Sequence, residues 1–236
     1  MHMCLRPALE PRSIRLVRTS KVAREVRSSG LDWPPTAETM VGRARLDNLQ
    51  ACITAVIQDG VAGDLIETGV WRGGASIFMR AVLAALGVHE RLVWVADSFR
   101  GLPPPKPELI PADTGLDLSG FPELAVGIDR VKANFAKYGL LDGQVRFLQG
   151  WFSETLPSAP IDRLAVIRLD GDLYESTMDA ITALYPKLSV GGYLIVDDYK
   201  AIPACRQAIS TYREANHVVE PIHEIDWTGV YWRREV

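Results

Sequence analysis

Asp64-Leu65-Ile66-Glu67-Thr68-Gly69-Val70-Trp71-Arg72-Gly73-Gly74-Ala75-Ser76 decides the fold. Asp64–Thr68 has the length and composition of a buried strand, and Gly73–Leu86 carries apolar residues at helical spacing. A strand that turns directly into a helix is the opening unit of an alternating α/β chain. The same alternation continues downstream. Arg91–Ala96 reads as a strand and Glu123–Tyr138 as a helix, separated by a Pro-rich loop over 101–122. Gln144–Leu148 and Leu164–Leu169 are strands, Thr177–Lys187 a helix, Tyr193–Val196 a strand and Ala204–Glu214 a helix. This pattern predicts a doubly wound parallel sheet with helices on both faces. The last two runs, Val219–Ile225 and Gly229–Arg233, are joined only by Asp226-Trp227-Thr228. No crossover helix fits in that linker, so an antiparallel C-terminal hairpin is predicted.

Upstream, Leu46, Leu49, Ile53, Val56 and Ile57 form one helical stripe that closes at Asp59-Gly60. Asp32-Trp33-Pro34-Pro35 is a turn, because each proline biases its predecessor away from helix. Residues 1–30 read as a basic arm carrying Arg6, Arg12, Arg15 and Arg18, with a weak helix over Ile14–Val26; residues 31–236 form the domain. With 236 residues, 47% of them hydrophobic, one α/β domain can bury a sufficient core without disulfides. A net charge of −3 offers no basic field for nucleic acid. Cys4, Cys52 and Cys205 form no CxxC pair, which suggests a reducing compartment. No apolar run of about 18 residues exists and no secretory pattern opens the chain, so a cytoplasmic protein that does not span a membrane is expected. His2, His89, His217 and His223 do not group; only His223 is kept as a catalytic candidate. Trp227 and Trp232 are read as core or interface residues.

Open α/β sheets bind ligands beyond the carboxyl ends of their strands. The first three such ends carry residues suited to a nucleoside-like ligand. At the first, Glu67 precedes Gly69 by two positions, and Val70, Trp71, Gly73, Gly74 and Ser76 lead into the helix. The glycines permit a tight turn and close approach to backbone, and the helix amides favour an anionic group. The spacing is not the dinucleotide GxGxxG. Acid plus amides suits a ligand with both an ammonium and a carboxylate, such as the methionine half of S-adenosylmethionine. At the second, Asp97-Ser98 offers a carboxylate to ribose hydroxyls, which fits that ligand and an adenine dinucleotide equally. At the third, Gly150-Trp151-Phe152 supplies aromatics that either stack on a base or belong to the core.

The fourth strand ends in Asp170-Gly171-Asp172 and the fifth in Asp197-Asp198. Crowded carboxylates at apolar strand ends repel and are costly to desolvate, and a hard divalent cation such as magnesium compensates both effects. Neighbouring parallel strands lie about 4.8 Å apart, so both ends can reach one ion. Asp170 and Asp172 share a face if the strand geometry continues, whereas Asp197 and Asp198 converge only if the strand has ended.

Together, Glu67–Gly74, Asp97-Ser98-Phe99, Leu169–Thr177 and Val196-Asp197-Asp198-Tyr199 resemble the macrocin O-methyltransferase family, as does Arg45-Leu46-Asp47-Asn48-Leu49. The likeness runs from about Asp32 to Arg233. That family includes enzymes that methylate deoxysugar hydroxyls on macrolides and on the aminocoumarin novobiocin. The resemblance implies a class I methyltransferase (Rossmann-like) fold, S-adenosylmethionine as donor, a glycosylated small-molecule acceptor, a homo-oligomer and a place in antibiotic biosynthesis. It implies magnesium held by Asp170, Asp197 and Asp198, with Asp170 also bordering the cofactor. It implies Asp172 as general base and Thr39-Met40 as a segment closing over the cofactor. The arginine-rich N-terminus departs from the family pattern in a region that shapes the acceptor pocket. Three rival readings stand beside this one: a catechol-type O-methyltransferase, a metal-dependent glycosyltransferase using the acid-x-acid pair Asp170-Gly171-Asp172, and a non-catalytic binding module. The Glu67–Gly74 turn argues against the glycosyltransferase.

Overall fold

A computed structural model describes residues 24–236. Most of the basic arm and of the helix expected over Ile14–Val26 lies outside those residues; the described part begins with a short helix, α1 (Arg24–Ser28). Helix α2 (Arg43–Gln58) follows. Then come β1 (Asp64–Thr68), α3 (Gly74–Ala85), β2 (Val93–Asp97), α4 (Ile128–Lys137), β3 (Val145–Gln149) and the single turn α5 (Phe152–Thr155). The chain closes with β4 (Leu164–Leu169), α6 (Tyr174–Leu184), β5 (Leu188–Val196), α7 (Pro203–Ala215), β6 (His223–Glu224) and β7 (Val230–Arg233).

The strands form one seven-stranded sheet in the order β3-β2-β1-β4-β5-β7-β6. β1 to β5 are mutually parallel, and β7 runs antiparallel to both β5 and β6. This is the doubly wound class I methyltransferase sheet with its C-terminal hairpin. Side-chain alternation splits the core into two layers. Leu65, Val93 and Val95 pack with Leu49, Ile53, Met79, Leu83 and Phe135 on one face. Ile66, Trp94 and Ile167 pack with Ile181, Leu184, Ile209 and Trp232 on the other. All six residues of β4 are buried, because it lies in the middle of the sheet between β1 and β5.

The structure departs from the sequence reading at four element boundaries; the strand expected over Tyr193–Val196 already begins at Leu188, running through Gly191 and Gly192. The helix expected from Glu123 starts only at Ile128, after an isolated 3₁₀ turn at Pro122–Leu124, with Gly127 at its N-cap. The helix expected from Thr177 starts at Tyr174 and gives way at Leu184 to a 3₁₀ turn that contains Pro186. The strand expected over Val219–Ile225 shrinks to His223–Glu224, since Pro221 has no N–H for the ladder and His217 sits at φ 55°. His223, on the outermost strand β6 and not among the residues that line the main cavity, packs its ring against Tyr231 of β7, with centroids 5.3 Å apart. Trp232 is wholly buried, whereas Trp227 is exposed and donates its indole N–H to the Ser29 carbonyl. Cys52 and Cys205 are buried free thiols, and burial pushes Cys52 up to about 12, which leaves it unreactive. Among the described residues, no helix is long and apolar enough to cross a membrane.

Candidate active site

The register of the central strands puts the chemistry in one row. Thr68 pairs with Leu169, and Leu169 with Val196, so β1, β4 and β5 end level. The ladder runs one residue further: the Asp170 amide donates to the Thr68 carbonyl (2.9 Å) and the Asp197 amide to the Leu169 carbonyl (2.9 Å). The strand has ended by Asp197-Asp198, which is the condition for the two acids to converge. One carboxylate oxygen each from Asp170, Asp197 and Asp198 lie within 4.8 Å of one another. Asp172 does not continue the extended strand; it takes φ 55°, in the left-handed region. Burial, with Asp170 and Asp197 nearby, pushes its carboxyl up to about 7. Asp198 is raised well above the usual carboxylate range, by burial first and then by Asp172, Asp170 and Asp197.

A cavity of about 380 Å³ opens over this row. Of the candidate site residues, Met40, Gly69, Trp71, Asp97, Ser98, Gly150, Trp151, Phe152, Asp170 and Asp172 line it. The Asp97 carboxylate is aimed by two turns: one oxygen accepts from the Val70 amide of the β1 turn (2.7 Å) and the other from the Phe99 amide of its own (2.7 Å). Trp71 stands at φ 49° with the Arg72 guanidinium 4.0 Å from its ring centroid, and its indole N–H reaches the Glu123 carbonyl (2.8 Å). The segment before α2 is pinned across the β1–α3 turn. Arg72 donates to the carbonyls of Pro34 (3.0 Å) and Ala37 (2.9 Å), and the Gly74 amide donates to Glu38 (2.9 Å). This holds Met40 over the cavity; Thr39 turns its hydroxyl to the Val41 amide (3.0 Å) instead.

Val70, Gly73, Gly74 and Ser76 shape the turn without lining the cavity, and Asp197 and Asp198 lie behind it. Glu67 also lies behind the wall. It is 2% exposed, with one oxygen on Arg168 (2.7 Å) and the other accepting from the Ser76 hydroxyl. Burial outweighs Arg168 and pushes Glu67 up to about 7.

Arg168 is the residue that sequence reasoning passed over. It faces Glu67 across the β1–β4 ladder and is itself 2% exposed. Its guanidinium touches Glu67, Asp170 (2.8 Å) and Asp197, so one cation joins three carboxylates from three strand ends. Arg45, from α2, takes the other Asp197 oxygen and reaches Asp226 (2.9 Å). The signal was present: an arginine inside an otherwise apolar strand needs buried anions. The Pro-rich loop, which the family resemblance implies as part of the acceptor pocket, supplies the wall Gly101–Pro104 and Lys106, whereas the α6 residues Glu175 and Asp179 were not assigned to the site, because nothing in their local sequence marks them.

Residues 2–234 match the Macrocin-O-methyltransferase (TylF) family. The chain belongs to the macrocin O-methyltransferase family. It is 60% identical over 86% of its length to 8-demethyl-8-(2,3-dimethoxy-alpha-L-rhamnosyl)-tetracenomycin-C 4'-O-methyltransferase of Streptomyces olivaceus, covering 78% of that protein. Mycinamicin III 3''-O-methyltransferase of Micromonospora griseorubida is 51% identical over 93% of this chain and 87% of its own length. The solved structure of the O-methyltransferase NovP superposes with a TM-score of 0.88 at 53% identity, covering 90% of this chain and 88% of NovP. The protein is therefore an O-methyltransferase, and S-adenosylmethionine is the family's methyl donor.

In this methyltransferase the β1 turn tolerates no side chain at Gly69. Its φ is 79°, and a Cβ there would lie 1.7 Å from the Asp170 carbonyl oxygen. Gly69→Ala must push β1 and β4 apart at the row that carries the acids. Loss of S-adenosylhomocysteine binding in calorimetry, with a lowered thermal midpoint, is the expected outcome; a variant that binds as wild type contradicts the close approach.

Proposed function

We propose that the protein transfers the methyl group of S-adenosylmethionine to a hydroxyl of a sugar on a small glycosylated natural product, with magnesium held by Asp170, Asp197 and Asp198. The observation that carries this reading is the convergence of Asp170, Asp197 and Asp198, one carboxylate oxygen from each within 4.8 Å of the others, directly behind a cavity that Asp170 and Asp172 line and whose far side is built from the β1 and β2 turns. The acids fit magnesium. They are oxygen donors, they crowd together, and Asp198 Oδ2 is buried without a hydrogen-bond partner. Asp197 accepts from Arg168 on one oxygen and from Arg45 on the other, yet a carboxylate has about four lone-pair sites, which leaves room for an ion. Bound magnesium would supply Lewis acidity and orientation at the reacting hydroxyl.

The chain's own groups do the rest. Asp172, on the cavity wall, accepts the hydroxyl proton. The hydroxyl oxygen forms a bond to the sulfonium methyl as the carbon–sulfur bond breaks, and S-adenosylhomocysteine leaves. Asp97 holds the donor's ribose, and Trp151 and Phe152 flank its base. Fixing both reactants supplies about 7–11 kcal/mol of the barrier reduction when alignment is good. A sugar acceptor is favoured over a catechol because the S. olivaceus relative is named for acting on a rhamnosylated tetracenomycin.

An acceptor panel of glycosylated polyketides and catechols, assayed with and without EDTA, tests the reading. Methylation of a sugar hydroxyl that EDTA abolishes and magnesium restores is expected. In Asp198→Ala, the magnesium needed for half-maximal activity should rise at least about tenfold, since even outer-shell losses at metal sites cost that much. Turnover indifferent to chelator removes the metal from the scheme, and transfer only to catechols removes the sugar.

A further inference from the structure

Helix α6 begins two residues after Asp172, and its local N-cap, Leu173, has no side-chain acceptor. The cap comes instead from a residue about sixty positions upstream. Asp113, in a 3₁₀ turn of the Pro-rich loop, is 1% exposed, and its carboxylate accepts from the amides of Tyr174 (2.6 Å) and Glu175 (3.3 Å). A carboxylate on those orphan amides is favoured by hydrogen bonding and by the helix dipole. The same loop makes a second attachment to α6, an ion pair between Lys106 and Glu175 (3.2 Å). Gly101, Leu102, Pro103, Pro104 and Lys106 of that loop form one wall of the cavity, facing Asp172 and Glu175.

We propose that Asp113 is a positioning residue that latches the acceptor-side loop to the first turn of α6, and thereby sets the aim of Asp172 and the shape of the acceptor pocket. The inference rests on the role given to Asp172 above. Asp172 is a non-glycine residue at positive φ, a conformation that persists only where neighbours over-determine it. On its C-terminal side those neighbours are Leu173, whose amide donates back to the Gly171 carbonyl (2.6 Å), and the turn that Asp113 caps. The donor half of the cavity is built from the β1 and β2 turns and does not touch Asp113. Losing the latch should therefore damage acceptor use and spare the donor.

The test compares Asp113→Ala and Asp113→Asn with wild type by steady-state kinetics, S-adenosylhomocysteine calorimetry and hydrogen exchange. In Asp113→Ala, kcat/KM for the acceptor should fall about ten- to a hundredfold, the scale of a small misplacement near the reacting atoms. Affinity for S-adenosylhomocysteine should stay within about twofold, and exchange should rise together in residues 101–122 and 173–176. Asn caps helices as well as Asp does, so Asp113→Asn should recover most of the loss. A purely structural role predicts something different: cofactor affinity and acceptor use failing in parallel, with no loss per cofactor-binding site. That result, or unchanged acceptor kcat/KM in Asp113→Ala, overturns the proposal. Should Asp113→Ala not fold, Asp113→Ser, which reaches only one amide, must show a smaller acceptor-specific fall; its absence overturns the proposal equally. Failure of the Asp172 assignment reads separately, as retained turnover in Asp172→Asn.

Discussion

Asp172→Asn is expected to bind the donor as wild type does and to lose between about a hundredfold and ten-thousandfold in kcat, the usual contribution of a positioned general base. The substitution keeps the size and shape of the side chain and removes only its capacity to take a proton. It also suits the backbone, because asparagine is among the few residues that tolerate positive φ, and Asp172 sits at 55°. A fold-level explanation for lost activity is thereby minimised. Burial, with Asp170 and Asp197 nearby, raises the Asp172 carboxyl above the usual carboxylate range, the direction that strengthens it as a proton acceptor. The measurements are kcat at saturating donor and acceptor, with calorimetry of S-adenosylhomocysteine as the control. Turnover within about threefold of wild type would show that another group, or solvent, receives the proton.

The second large effect is on stability. Arg168→Gln should lower the unfolding free energy by about 3–5 kcal/mol, the cost of removing one partner from a buried ion pair. Domains are stable by only about 5–15 kcal/mol, so the variant will sit close to unfolding at moderate temperature. Three carboxylates depend on this guanidinium, and Glu67 in particular has Arg168 as its only cationic partner among the described residues. Glutamine keeps a donor in place, so the loss isolates the charge. The check is urea denaturation of the single variants Arg168→Gln and Glu67→Gln and of the double variant. The double variant should be less destabilised than the sum of the two, because it removes an uncompensated anion along with the cation. Strict additivity, or an Arg168→Gln midpoint matching wild type, would mean that the three carboxylates do not rely on Arg168. Magnesium should raise the variant's thermal midpoint more than that of wild type, since an ion bound at Asp170 and Asp197 replaces part of the missing positive charge.

These two predictions draw on different kinds of information. Asp172 was legible as a candidate before any coordinates, because an acid placed three residues past the end of an apolar strand is conspicuous in a linear reading. Arg168 was equally visible as a residue but had no assignable partner. Glu67 lies about a hundred positions away, and only the pairing of β1 with β4 puts the two opposite one another.

Local chemistry made the alternation of strands and helices readable, and with it the turn at Gly69, the acid that ends β2 and the crowding of aspartates at the ends of β4 and β5. Each of these depends on residues within a few positions of one another, where periodicity, turn preference and like-charge repulsion act directly. The level ends of β1, β4 and β5, the arginines that neutralise the acids, the cap that Asp113 places on α6 and the loop wall of the cavity depend on strand order, register and loop closure. Those are set by which apolar faces bury together across the whole chain, a global free-energy balance that no short stretch of sequence contains.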